Sequence, residues 1–291
     1  MAEPIKIQLE NIYKPVAEEQ IKSAKSFVLR RESTARGIGS LVDALLADAA
    51  EKIVQICYKY CVDPRTFQIS AQYNEEMFKE VAAVLDELEE EILDLLTDYC
   101  TRCTQDKKKR SNLMLWVLTL GRGGKALKAT IEDRIKMFLK DLEAMTVAAK
   151  NAKFDLTKAI TLIKSYLFNV YQMPGMQNAF KYAPLFKAQY IRSRGVKKGY
   201  RGNSNSEAYN INRMVKTTVQ MAWMHWQREE YESDGAAGFY VLRGSTYHCD
   251  LCQSYVGFHQ IDDIEAFPPQ HPSCCCIAIP IFERNINELT E

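Results

Sequence analysis

The stretch Tyr247–Gln260, YHCDLCQSYVGFHQ, is followed ten residues later by His271–Cys276, HPSCCC. Together they hold five of the nine cysteines and three of the four histidines in a chain of 291 residues. Cys249 and Cys252 form a C-x-x-C. His271 and Cys274 form an H-x-x-C after eighteen intervening residues. Two short-spaced pairs separated by a loop are how a chain brings four soft ligands around one tetrahedral zinc. Cys275 and Cys276 add further thiolates, so an all-cysteine set (Cys249, Cys252, Cys274, Cys276) fits as well as three cysteines with His271. A structural zinc contributes ~10 kcal/mol or more to the folding of small sites. That is enough to organise a β element too small to bury a core of its own. The same residues admit a disulfide between the two turns, a Cys–His nucleophilic site or free buried thiols.

The surrounding sequence places this cluster in a small β element. After SDGAAG (Ser233–Gly238) the apolar period becomes two. FYVLRG (Phe239–Gly244) reads as a strand, and CIAIPIF (Cys276–Phe282) as another. Pro280 puts the second strand at a sheet edge or bulge. Just upstream, the segment from Ser204 to Tyr231 reads as a helix, with Ser204 or Ser206 as N-cap. Met214, Thr217, Met221, Met224 and His225 share one side of it. His225, between Met224 and Trp226, reads as a packed or half-exposed helix residue rather than a ligand.

The first two thirds of the chain read as helical. Leu41, Leu45, Ala49, Ile53, Ile56 and Tyr60 recur at helical spacing until Pro64 stops the run. From about Asn74 to Thr104, Met77, Val81, Val84, Leu85, Leu88, Ile92, Leu95, Leu96 and Tyr99 make a second stripe. Glu87, Glu89, Glu90 and Glu91 fill its solvated face. Thr104–Arg110 reads as a polar connector. Gly121–Gly124, GRGG, lacks the Lys-Ser/Thr of a phosphate loop and reads as a break between helices. Helices follow over Lys125–Lys150 and Leu156–Tyr171. Cys57, Cys61, Cys100 and Cys103 read as ordinary helix residues.

Lys187–Arg201 changes the composition. Lys187, Arg192, Arg194, Lys197, Lys198 and Arg201 are six cations with no acid among them, interleaved with Tyr190 and Tyr200. Such a mix can grip a phosphate backbone and stack on bases, and it equally suits a solvated hinge. The net charge of +1 leaves any nucleic-acid contact to this local patch. The N-terminus shows no secretory signal pattern, and the longest apolar run, Leu113–Leu120, falls far short of the ~20 residues needed to span a membrane. A protein of a reducing cytoplasm is expected. The fold class read from these patterns is α+β: a helical domain over 1–186, a basic linker over 187–205, and a small α+β domain over 206–291 whose β element is pinned by Cys and His.

The region from Glu207 onward resembles the C-terminal domain of the phage Mu F-like minor head proteins, the phage head morphogenesis family. That domain has a helix with an Arg-Thr-Glu core, a Gly-bearing turn and a strand. A C-x-x-C with a Gly soon after follows, and then a terminal His-Pro-Asn-Cys-Arg-Cys before an apolar strand. Here the helix carries Lys216-Thr217-Thr218, and the C-x-x-C is Cys249–Cys252 with Gly257 after it. The ending is His271-Pro272-Ser273-Cys274-Cys275-Cys276 before IAIPIF. The match covers under a third of the chain. It implies a virion component assembled in the host cytoplasm, structural rather than enzymatic. Its partners would be the portal protein and other head proteins, with DNA contact in some members. Two other classes compete: an ADP-ribosyltransferase-like toxin starting from Arg243, and a host zinc-ribbon adaptor. The first needs a downstream Glu-x-Glu or Gln-x-Glu, and the region offers only Asp262, Asp263 and Glu265.

Overall fold

A computed structural model of the chain describes residues 18–120, 126–176, 206–244, 249–270 and 274–282. The α+β class holds: long helices precede a small three-stranded antiparallel sheet. The helices are α1 (Glu18–Tyr60), α2 (Glu75–Thr101), α3 (Lys107–Thr119), α4 (Leu127–Asn151), α5 (Leu156–Tyr166) and α6 (Glu207–Ser233). Strand β1 (Gly238–Leu242), a short helix α7 (Asp250–Ser254), β2 (Gly257–Gln260) and β3 (Ile277–Ile281) follow among the described residues. The basic segment 187–205 lies outside the described residues, as does the GRGG break.

Helix ends follow local chemistry. Asn74 caps α2 through its Oδ1, which accepts from the Met77 amide at 2.8 Å. Asp106 accepts from the amides of Lys108 and Lys109. Thus Lys107–Arg110, expected as a connector, forms the first turn of α3. A carboxylate at the N-cap satisfies amides that a run of lysines leaves free. Asp155 caps α5. Of the two serines read as a cap for α6, Ser206 serves, its Oγ accepting from the Tyr209 amide.

The contacts group into two compact units that do not follow the expected division at 186 and 206. One combines the chain up to Gly37 with Asp98–Val117 and the part from Lys216 onward. The other holds Ile38–Thr97 and Leu118–Val215. The reason is helix length. α1, α2, α3 and α6 each contribute residues to both units, so a boundary drawn at one point along the sequence cannot separate them.

In the second unit, α1 buries Ile38, Val42, Leu46, Ile53 and Cys57, and α2 buries Met77, Val81, Leu88 and Ile92. Of the expected α1 row, Ala49 and Ile53 are buried, while its other members are half-buried or exposed. Leu41 is 42% exposed, whereas Val42 is fully buried. The sequence offers two adjacent apolar rows, and only packing selects between them. Polar ties accompany the core: the Ile69 amide donates to the Glu143 carboxylate at 2.9 Å, and the Glu207 amide to Asp141 at 2.8 Å.

In the first unit the sheet order is β2-β1-β3. Phe239 lies opposite His259 on one side and Pro280 on the other. Pro280 therefore sits on an edge strand, where its missing amide costs no ladder bond. β2 was not legible from the pattern, being four residues of alternating exposure inside a loop. Leu242, Ile277, Ile279 and Ile281 of the sheet pack with Ala24 and Val28 of α1, with Ile21 alongside. On α6, of the side expected to carry Met214, Thr217, Met221, Met224 and His225, Met224 is buried and the others are half-buried. Val215, Val219, Ala222 and Trp223 are buried with it. The Trp223 Nε1–H donates to the Tyr99 carbonyl at 3.1 Å.

Candidate metal centre

The C-x-x-C folds as the start of a helix. Cys249 occupies the N-cap position of α7, its carbonyl accepting from the Gln253 amide, and Cys252 lies one turn in, buried. The second turn, Cys274–Cys276, leads directly into β3, so the β1–β3 pairing fixes where it arrives. Gly244 follows β1 and passes against this turn. A Cβ built at Gly244 would stand 1.6 Å from the Cys275 carbonyl oxygen, so only a glycine admits the approach.

The two turns converge. The sulfurs of Cys252, Cys274 and Cys276 all lie within 4.8 Å of one another, and all three residues are buried. The Cys252 and Cys274 sulfurs are 3.8 Å apart. Zinc–sulfur bonds of about 2.3 Å in a tetrahedron give a sulfur–sulfur edge of about 3.8 Å. A disulfide requires about 2.05 Å, and all nine cysteines are free. The donor set and its spacing therefore fit zinc. Cys249, half-buried, lies outside that 4.8 Å grouping. His271, the other sequence candidate for the fourth ligand, lies outside the described residues.

The thiols are electronically unequal. Hydrogen bonding from Cys276, then from backbone amides, pulls the Cys274 thiol down to about 5. The same bond with Cys274, together with burial, pushes Cys276 up. Burial pushes Cys252 up to about 12. One thiolate among neutral thiols is the charge state a buried cluster adopts without a cation, because several adjacent anions in a low-dielectric site repel.

Cys275 belongs to a different environment. Burial, and then the charge of Glu32 of α1, push its thiol up. Arg31 is fully buried, and its Nη2 donates to the Cys274 carbonyl at 2.8 Å and to Glu32 at 2.9 Å. Both Glu32 oxygens in turn accept from Gln220 Nε2. Sequence reading missed this network. Its signal was a lone arginine continuing the row Ile21, Ala24 and Val28 at helical spacing.

The other candidates separate cleanly. Lys187, Arg192, Arg194, Lys197, Lys198 and Arg201 lie outside the described residues. Cys57 and Cys100 are buried thiols pushed up by desolvation, and among the described residues only Cys252, Cys274 and Cys276 group as metal donors. Cys61 and Cys103 fall just past the ends of α1 and α2 rather than within them. His225 stacks on Trp116, with centroids 3.8 Å apart and rings 3° from parallel. His259 is held by Asp263 and the Tyr255 carbonyl. No helix among the described residues is long and apolar enough to cross a membrane. No protein-family model matches the chain, no curated protein is detectably similar to it, and no solved structure matches it.

Proposed function

We propose that the chain is a minor head protein of a phage or prophage, a structural part of the virion whose C-terminal module is a zinc-pinned knot. The observation that carries this reading is the convergence of Cys252 with Cys274 and Cys276. The resemblance to the Mu F-like family rests on these two turns, and a shared frame requires them to meet. The ligands are Cys252, Cys274 and Cys276, with Cys249 as the fourth. Bound zinc supplies cross-linking and charge neutralisation. The chain's own part is to present the sulfurs from α7 and from the start of β3 and to keep water from them. The helical part makes contacts with the portal and other head proteins, and Lys187–Arg201 touches packaged DNA.

The reading is tested by expressing the chain with the portal protein of the genome that carries it. Co-purification as one complex, and presence of the chain in purified heads, are expected. A chain absent from heads overturns the reading. The DNA contact is tested by neutralising Arg192, Arg194, Lys197 and Lys198 together. Affinity should fall and its salt dependence flatten, because fewer phosphates are neutralised. Unchanged affinity removes that contact.

A further inference from the structure

A fully buried arginine needs a reason, since each ion taken out of water costs several kcal/mol unless paired and hydrogen-bonded. Arg31 is only partly provided for. Its Nε and Nη2 reach Glu32, and Nη2 also reaches the Cys274 carbonyl. Its Nη1 is buried with no hydrogen-bond partner. Glu32 is itself held by Gln220 of α6. The guanidinium thus ends a rigid chain of contacts from α6 through α1 to the backbone of the turn that carries two of the sulfurs.

The same stretch of α1 is docked by its apolar row. Ala24 and Val28 lie in one cluster with Leu242, Ile277, Ile279 and Ile281. Ile277 directly follows Cys276, so the strand that receives α1 and the turn that holds the sulfurs are consecutive residues. A zinc ion with three or four thiolates carries net negative charge. With four thiolates that charge exceeds the single thiolate of the metal-free cluster and adds to the compensation that Glu32 already gives the buried guanidinium.

We propose that Arg31 is the positioning residue of the cysteine centre, so that metal occupancy and the docking of the α1 segment Ile21–Glu32 onto the sheet are thermodynamically linked. This rests on the zinc reading above. Linkage is reciprocal: whatever factor zinc adds to docking, docking adds to zinc affinity. Residues that orient a ligand from behind typically change metal affinity by about 10–100-fold when replaced.

The test uses the full chain, with zinc added at one equivalent or removed by chelator, and amide hydrogen exchange read by mass spectrometry. Zinc should slow exchange in peptides covering 21–32 by about tenfold or more, leaving peptides from 78–95 of α2 unchanged as the internal control. In parallel, zinc affinity is measured by competition with a chromophoric chelator. Arg31→Met should weaken it by about 10–100-fold, and Arg31→Lys, which keeps the charge and can still donate to the Cys274 carbonyl, by less. If Arg31→Met fails to fold, the wild-type exchange comparison decides alone. Binding of one zinc with no change at 21–32 overturns this inference and leaves the metal reading standing. Failure to bind zinc overturns both.

Discussion

Gly244 and Cys275 are in backbone-to-side-chain-free contact: a Cβ added at Gly244 would lie 1.6 Å from the Cys275 carbonyl oxygen. The strand that begins the sheet therefore leaves it against the turn that carries the sulfurs. Gly244→Ala must push that turn away, because the clashing atom is backbone and has no rotamer to escape into. The expected cost is about 1–3 kcal/mol by denaturant unfolding. Zinc content should fall with it. An alanine variant of wild-type stability that still binds a full equivalent of zinc would contradict the close approach.

Zinc binding must release the protons of the neutral thiols. Cys274 is already ionised at neutral pH, whereas Cys252 and Cys276 are pushed up and still protonated. Metal affinity therefore rises with pH. Two protons released give about a 100-fold gain per pH unit between 6 and 8. Isothermal titration in buffers of different ionisation enthalpy counts the protons directly. A release of one proton or none would rule out this ligand set.

His225 is held neutral chiefly by burial, which lowers its pKa from 6.5. The imidazole stacks on Trp116 and lies 3.2 Å from Glu229. With the folded value below the unfolded one, its contribution is complete above pH 6.5 and is lost as pH falls from there through the folded value. The unfolding midpoint should therefore drop between pH 7 and 5.5. His225→Gln should flatten that drop even if it lowers the plateau. A variant that keeps the full pH dependence would assign it elsewhere.

Asp141 is buried and accepts the amide of Glu207 at the first turn of α6. Asp141→Ala leaves that amide without its acceptor and should cost about 1–3 kcal/mol. Asp141→Asn keeps an oxygen acceptor and should cost less. Equal losses for the two variants, read by urea midpoint, would show that the charge and not the hydrogen bond matters here.

Most of the helical part and strands β1 and β3 were legible because each is a local pattern. Met77, Val81, Leu88 and Ile92 fix the inner face of α2 by spacing alone, and Asn74 marks its start. β2 was not legible, because four residues beside a glycine carry too short an alternation. In α1, Ala49 and Ile53 face inward as read, whereas Val42 is buried in place of Leu41, since the two are equally apolar and nothing local says which faces inward. The two cysteine turns were legible as spacing, but which cysteines meet was not: Cys252, Cys274 and Cys276 converge, and Cys275 does not join them.

The amino-acid sequence by itself determined that this chain has long helices, a terminal β element and two cysteine turns able to share one ion, because periodicity and short ligand spacing are properties of neighbours along the chain. Tertiary structure alone decided that Cys252, Cys274 and Cys276 come within 4.8 Å, that Arg31 reaches the Cys274 carbonyl across 243 residues, and that the long helices serve two compact units. Those are contacts between residues remote in sequence, and their geometry is set by packing and burial summed over the fold, which no local spacing encodes.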